Sequence, residues 1–203
     1  MDQKDSAEHI TINPNAAAND PTYLLVTVAH EGYPGHLYAY VNAKEQGAGL
    51  FMQCFDSDAF AEGWAMYVEF CLLDYISAHS NDEAVKLFCD YYSAYLKVGY
   101  ANSLIFDLHI NYFGETVEDM VADCREEETA REFVERYMEI PAVYVPYGYG
   151  MIYLLDLHDQ AKTALGNSYN EVEFNRALLS EGMGPTLTRA SEITKEYIAS
   201  NNK

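Results

Sequence analysis

The sequence predicts an all-α protein, a predominantly helical bundle with at most one short β segment, and three observations carry that expectation. Apolar residues recur at three–four spacing through long stretches, the period of a helix with one buried face. Capping residues, Gly and Pro punctuate those stretches at helical lengths. Strand signals are scarce; the best, His9-Ile10-Thr11-Ile12 near the N-terminus, is short. The 203 residues are 49% hydrophobic and 14% aromatic, enough to bury a core and too many for a disordered chain.

The elements follow from the punctuation. Asp20-Pro21 reads as an N-cap followed by Pro at the first helical position. The helix it opens runs towards Tyr33 and breaks at Pro34-Gly35. A second piece covers His36 to Glu45 and stops near Gly47, and Ser57-Asp58 caps the next, from Ala59 to Ala78. Asn81 starts another, with Val85, Phe88, Cys89, Tyr92, Leu96 and Gly99 in register and the pattern persisting to Phe113. Thr116-x-x-Asp119 has the form of a capping box, and two short helices carry the chain to Glu139. Pro141, Pro146, Gly148 and Gly150 mark 140–150 as a structured loop or turn. A helix from Met151 to Leu165 ends at Gly166, one from Glu171 to Ser180 ends at Gly182, and Pro185 starts the last.

Charge removes whole classes of function. Lys and Arg number 12 against 32 Asp and Glu, a formal charge of −20. Such a surface repels phosphate, which excludes nucleic acid and anionic membranes as partners. No apolar run approaches the ~20 residues that span a bilayer, so no membrane span is expected. The N-terminus, Met1-Asp2-Gln3-Lys4-Asp5, has no signal-peptide stretch. The compartment stays open between an extracytoplasmic one, secreted or lipoprotein, and the bacterial cytoplasm. Cys54, Cys71, Cys89 and Cys124 form no Cys-x-x-Cys pair and read as small buried hydrophobes.

Chemistry concentrates in His30-Glu31-Gly32-Tyr33-Pro34-Gly35-His36. Two imidazoles at i and i+4 of a helix share a face and bind zinc, while a Glu beside the first activates water. Here the second His stands at i+6, which on a straight helix turns it about 120° away from His30. Pro34-Gly35 supplies the remedy: Pro removes a helical hydrogen bond and Gly tolerates unusual dihedrals. If two residues bulge outward, His36 returns to the place of an i+4 histidine. The competing reading is a helix, a Pro-Gly turn and two unrelated histidines. A third ligand is then sought on a neighbouring helix. Glu62, in Glu62-Gly63-Trp64-Ala65-Met66-Tyr67-Val68-Glu69, suits that place, with Gly63 allowing close helix approach. Two His and one Glu leave a fourth position for water. The bland alternative makes Glu62 a solvated first-turn acid. Glu69, at i+7 from Glu62, is either a partner behind the ligands or simply exposed.

His-Glu-x-x-Pro-Gly-His followed by Glu-Gly-Trp-Ala-x-Tyr-x-Glu resembles the bacterial family catalogued as "domain of unknown function 885", helical proteins in the style of the thermolysin-like gluzincins. Pro141, Tyr147 and Gly150 match the family's Pro-x5-Tyr-x2-Gly segment, and Gly166, Phe174, Leu178, Gly182 and Pro185 fit its C-terminal pattern. Ile12-Asn13-Pro14 is similar to the segment before its metal helix. The resemblance implies a zincin-like metal helix broken at Pro34-Gly35, with His30, His36 and Glu62 as Zn2+ ligands. It implies Glu31 as the general base of peptide-bond hydrolysis and Tyr147 as a donor to the oxyanion. Tyr144 and Tyr149 compete for that last role. The chain departs from the family at Ser103, Asn111 and Asn175, where Arg, His and His are expected, and keeps Asp107. His79, His109 and His158 fall outside the motifs.

Family members are longer, with a large helical region before the metal helix. Residues 1–203 are therefore expected to be a single catalytic-type domain, the C-terminal part of a longer protein. Apolar or tyrosine-rich patches should then be exposed where the missing N-terminal region, or a homo-dimer contact, would cover them. The expected activity is a zinc metallopeptidase acting on a peptide substrate, an expectation that does not extend to the isolated portion by itself. The alternatives are a non-catalytic metal-binding or interaction module, or a zinc hydrolase of another amide or ester. A carboxypeptidase or dipeptidase would need a cation for the terminal carboxylate, and nothing selects among Arg125, Arg131, Arg136, Arg176 and Arg189.

Overall fold

The computed structural model describes residues 9–15, 21–47, 49, 57–123 and 127–202, and among these it is all-α, with no strand. The His9–Ile12 segment is irregular. The helices are α1 (Pro21–Glu31), α2 (His36–Glu45), α3 (Asp58–His79) and α4 (Glu83–Asp107), the last continuing into a π turn over Leu108–Tyr112. Then come α5 (Val117–Asp123), α6 (Glu127–Glu139), α7 (Val145–Leu165), α8 (Glu171–Leu178) and α9 (Leu187–Asn201). Asp20, Cys54, Cys124 and Arg125 lie outside the described residues.

Local chemistry sets the helix starts. Asp82 accepts a hydrogen bond from the Ala84 N–H at 2.8 Å, one residue beyond the Asn81 the sequence suggested. The box at Thr116 is reciprocal: the Thr116 N–H donates to Asp119 Oδ2 at 2.8 Å, and the Asp119 N–H donates to Thr116 Oγ1 at 3.3 Å. Asn170 caps α8 by accepting from the Glu173 N–H at 3.1 Å, and Thr186 caps α9 by accepting from the Arg189 N–H at 3.2 Å.

The loop expected over 140–150 is shorter than that, because α7 already begins at Val145. Pro146 sits in its first turn, where a missing N–H costs no helical bond. Gly148 and Gly150 are buried inside the helix and serve packing rather than a turn.

Helix α3 is the centre of the molecule. From Phe60 to Phe70 all but one of its residues are buried, and α1, α4, α7 and α9 pack around it. The main core gathers Phe60, Trp64, Tyr67, Leu154, Phe174 and Leu178 from α3, α7 and α8. A second cluster joins α1 and α4 to the same helix through Val26, Phe70 and Leu96. The closest helix pair is α3 with α7. A Cβ on Gly63 would fall 2.6 Å from the Gly150 backbone, and one on Gly150 would fall 2.1 Å from the Ala59 carbonyl oxygen. Only glycine at both places permits that crossing.

Helix α4 is apolar on two sides. Cys89, Ser93 and Leu96 face inward, while Leu87, Tyr91, Val98, Ile105 and Tyr112 form an exposed stripe, Leu87 at 71% and Val98 at 60% exposure. Cys71 and Cys89 are free thiols within helices. No helix of the described residues is long and apolar enough to cross a membrane.

Candidate metal centre

The break between α1 and α2 has a definite geometry. The Gly32 N–H still reaches four residues back, to Val28 O at 2.9 Å. The Gly35 N–H then donates to Ala29 O at 3.0 Å and the Tyr38 N–H to Gly32 O at 3.1 Å, each spanning six residues rather than four. Two extra residues are accommodated, so His36 stands where an i+4 histidine would stand relative to His30. Gly35 is obligatory here, since a Cβ would lie 1.8 Å from the His30 carbonyl oxygen. Trp64, from α3, donates its indole N–H to Pro34 O at 3.1 Å and ties the bulge to the central helix.

The result brings three side chains from three helices together. His30 Nε2 and His36 Nε2 each lie 3.5 Å from Glu62 Oε2, and one ligand atom from each residue falls within 4.8 Å of the others. Glu62 Oε2 is buried and among the described residues has no hydrogen-bond partner. Zinc ligands at about 2.0–2.2 Å in a tetrahedron stand about 3.3–3.6 Å apart, so the spacing of the two histidine–glutamate pairs suits a small cation. Behind them, Glu69 Oε1 lies 2.9 Å from His30 Nδ1. A carboxylate only accepts, so Nδ1 carries the proton and Nε2 faces the cluster.

Electrostatics point the same way. Burial by itself would lower the His30 pKa, but Glu62 and Glu69 outweigh it and hold the imidazole up to about 9. Burial would raise Glu62, yet the two imidazoles bring it down to about 2. A centre that retains a proton so strongly is one that stabilises positive charge. The residues present therefore fit a divalent cation.

The cavity in front of the cluster measures about 320 Å³ and is lined by Glu31, Tyr40, Asp58 and Tyr147 beside the three candidate ligands. Tyr147 is half-buried; burial, then the charge of Glu62, pushes its phenol up to about 12, which keeps it a proton donor. Tyr144 and Tyr149 do not line this cavity. Neither does Arg131, Arg136, Arg176 or Arg189, so no arginine of the described residues stands beside the cluster. His79 is bonded to Tyr75 O, His109 to Glu115, and His158 to Glu171, all away from it. Asp58 and Tyr40 went unremarked as site residues, although Asp58 precedes Glu62 by four positions and so shares its face of α3.

A family model described as "Bacterial protein of unknown function (DUF885)" matches residues 2–188. No curated protein matches. Among solved structures, a protein from Colwellia psychrerythraea assigned as a lipoprotein superposes with a TM-score of 0.69 at 23% identity, covering 86% of this chain and 30% of its own. A second protein so assigned, of unknown function, from Shewanella oneidensis gives 0.68 at 23% identity, with 91% and 34% covered. The chain thus spans about a third of the length of these structures, and the likeness shows the fold.

Proposed function

The chain belongs to that bacterial family of unknown function, and from this membership and the three converging ligands we propose that it is the metal-bearing part of a zinc-dependent peptidase. The observation that carries the reading is the two-residue bulge, which returns His36 to the face of His30 opposite Glu62 with Glu31 next in sequence. His30, His36 and Glu62 hold the cation. When bound, zinc supplies Lewis acidity, polarising the scissile carbonyl and lowering the pKa of water. Glu31, on the cavity wall, accepts the proton of the attacking water and passes it to the leaving amine. Tyr147 donates its phenolic hydrogen to the oxygen that gains charge. The likeness to proteins assigned as lipoproteins is compatible with an extracytoplasmic setting.

The test is Glu31→Gln in zinc-loaded protein. Zinc content should stay as in the wild type while hydrolysis of a broad peptide library, read by mass spectrometry, falls at least about a hundredfold. A variant as active as the wild type would exclude the mechanism. A second reading, metal binding without catalysis, draws on Ser103, Asn111 and Asn175, which stand where the family pattern has Arg, His and His. It predicts zinc-loaded protein that leaves the whole library uncut.

A further inference from the structure

A second, shallower cavity of about 570 Å³ shares Asp58, Glu62 and Tyr147 with the candidate metal cavity. Its remaining wall comes from apolar residues of the 140–146 segment, with Val143, Val145 and Pro146 half-buried. No lysine or arginine lines either cavity among the described residues. Asp58 and Glu62 would repel an anion here, and the apolar 140–146 wall suits an apolar group next to the candidate ligands.

The shape of this wall depends on an unusual backbone. Ala142 has φ +65°, the left-handed region that a Cβ disfavours, and it is the non-glycine residue with positive φ among those described. What holds it there is Asp107, at the end of α4, only 1% exposed. The Ala142 N–H donates to Asp107 Oδ1 at 3.0 Å, and Asn111 Nδ2 donates to the same oxygen at 2.8 Å. Asn111 also donates to Tyr137 O, so the buried carboxylate joins the end of α4, the end of α6 and the turn. Among the described residues Asp107 Oδ2 has no hydrogen-bond partner. A buried carboxyl group with no ion pair among the described residues is a poor choice for stability alone. What the carboxyl oxygen adds over an apolar side chain is an acceptor that fixes Ala142 and the wall that follows it.

We propose that residues 140–147, fixed by Asp107 as a positioning residue, form the side-chain subsite of the metal centre and receive an apolar side chain next to the scissile bond. This rests on the metal reading above. The two can be separated with hydroxamates, which bind zinc through their headgroup alone. Zinc-loaded protein is titrated calorimetrically with acetohydroxamate and with analogues carrying an isobutyl, benzyl or carboxymethyl group on the adjacent carbon. The isobutyl and benzyl probes should bind at least about tenfold tighter than acetohydroxamate, and the carboxymethyl probe no tighter.

Asp107→Ala and Val143→Asp should each reduce that ratio towards one. Asp107→Asn should retain it, because the amide oxygen still accepts from Ala142, and Ala142→Gly should retain it, because glycine adopts the left-handed conformation unaided. Equal affinity for all four probes overturns the subsite, and so does a ratio undiminished in Val143→Asp. A ratio lost equally in Asp107→Asn and Asp107→Ala overturns the positioning role. Acetohydroxamate that fails to bind at all overturns the metal reading, and the subsite with it.

Discussion

Glu69 is the residue whose contribution is easiest to underrate, since it lines neither of the two cavities at the candidate metal centre and is 3% exposed. Its contact to His30 Nδ1 fixes which nitrogen faces the cluster, and losing such a partner typically costs about 10–100-fold in metal affinity. Glu69→Ala should weaken zinc binding by that factor in a chelator competition titration; an unchanged dissociation constant would show that His30 needs no such support. Away from the metal centre, half-buried His158 and exposed Glu171 make a pair at 3.2 Å. The Glu171 carboxylate raises the His158 pKa above 6.5, and His158 in turn lowers Glu171 below 4.5. A raised folded-state pKa contributes stability below the unfolded value and loses it as pH rises through the folded one; a lowered carboxylate behaves in the opposite sense. The pair therefore stabilises most between about pH 4.5 and 6.5 and fades on either side. Urea denaturation of wild type and His158→Phe should give a stability difference that shrinks from pH 5.5 to pH 9. A difference that grows towards pH 9 would contradict this linkage.

At the scale of elements, the α3–α7 crossing positions Glu62 against Tyr147, and two facing glycines make it that close. Gly150→Ala forces a methyl towards the Ala59 carbonyl and should destabilise the protein by about 1–3 kcal/mol in chemical denaturation. A cost below about 0.5 kcal/mol would mean that the helices separate freely. This crossing also marks the boundary of what the sequence reveals. The metal helix was legible because an i+6 spacing makes sense only with two residues displaced, and Pro34-Gly35 names which two. Helix starts were legible where a cap sits two or three residues from the N–H it serves. The 140–150 segment was not, because the same Gly and Pro that mark turns are here a first-turn proline and packing glycines. What distinguishes the uses is a partner helix some ninety residues away in sequence, Ala59 and Gly63 against Gly150. The place of Asp58 on the cavity wall was hidden for the same reason: nothing local separates it from a solvated acid.

Across the whole molecule, the acidic surface is interrupted along α4, where an apolar stripe at near seven-residue spacing faces outward. A helix apolar on both sides has more to bury than this fold covers. Because Leu87 and Val98 are exposed, replacing both with Gln should change stability by no more than about 0.5 kcal/mol each. Binding of a hydrophobic dye and light scattering on concentration should both fall. Destabilisation by several kcal/mol would show that the stripe is packed in solution.

The bulge at Pro34-Gly35 also has a consequence for insertions and deletions. Each residue of an α-helix advances its phase by about 100°, so losing one of the two would swing His36 out of line with His30 by about that angle. Losing both would leave His-Glu-Gly-Tyr-His, the ordinary four-residue spacing, with the phase of α2 unchanged. The two residues are an insertion that only makes sense as a pair, and a search for the regular spacing would pass over a chain that reaches the same arrangement by a longer path.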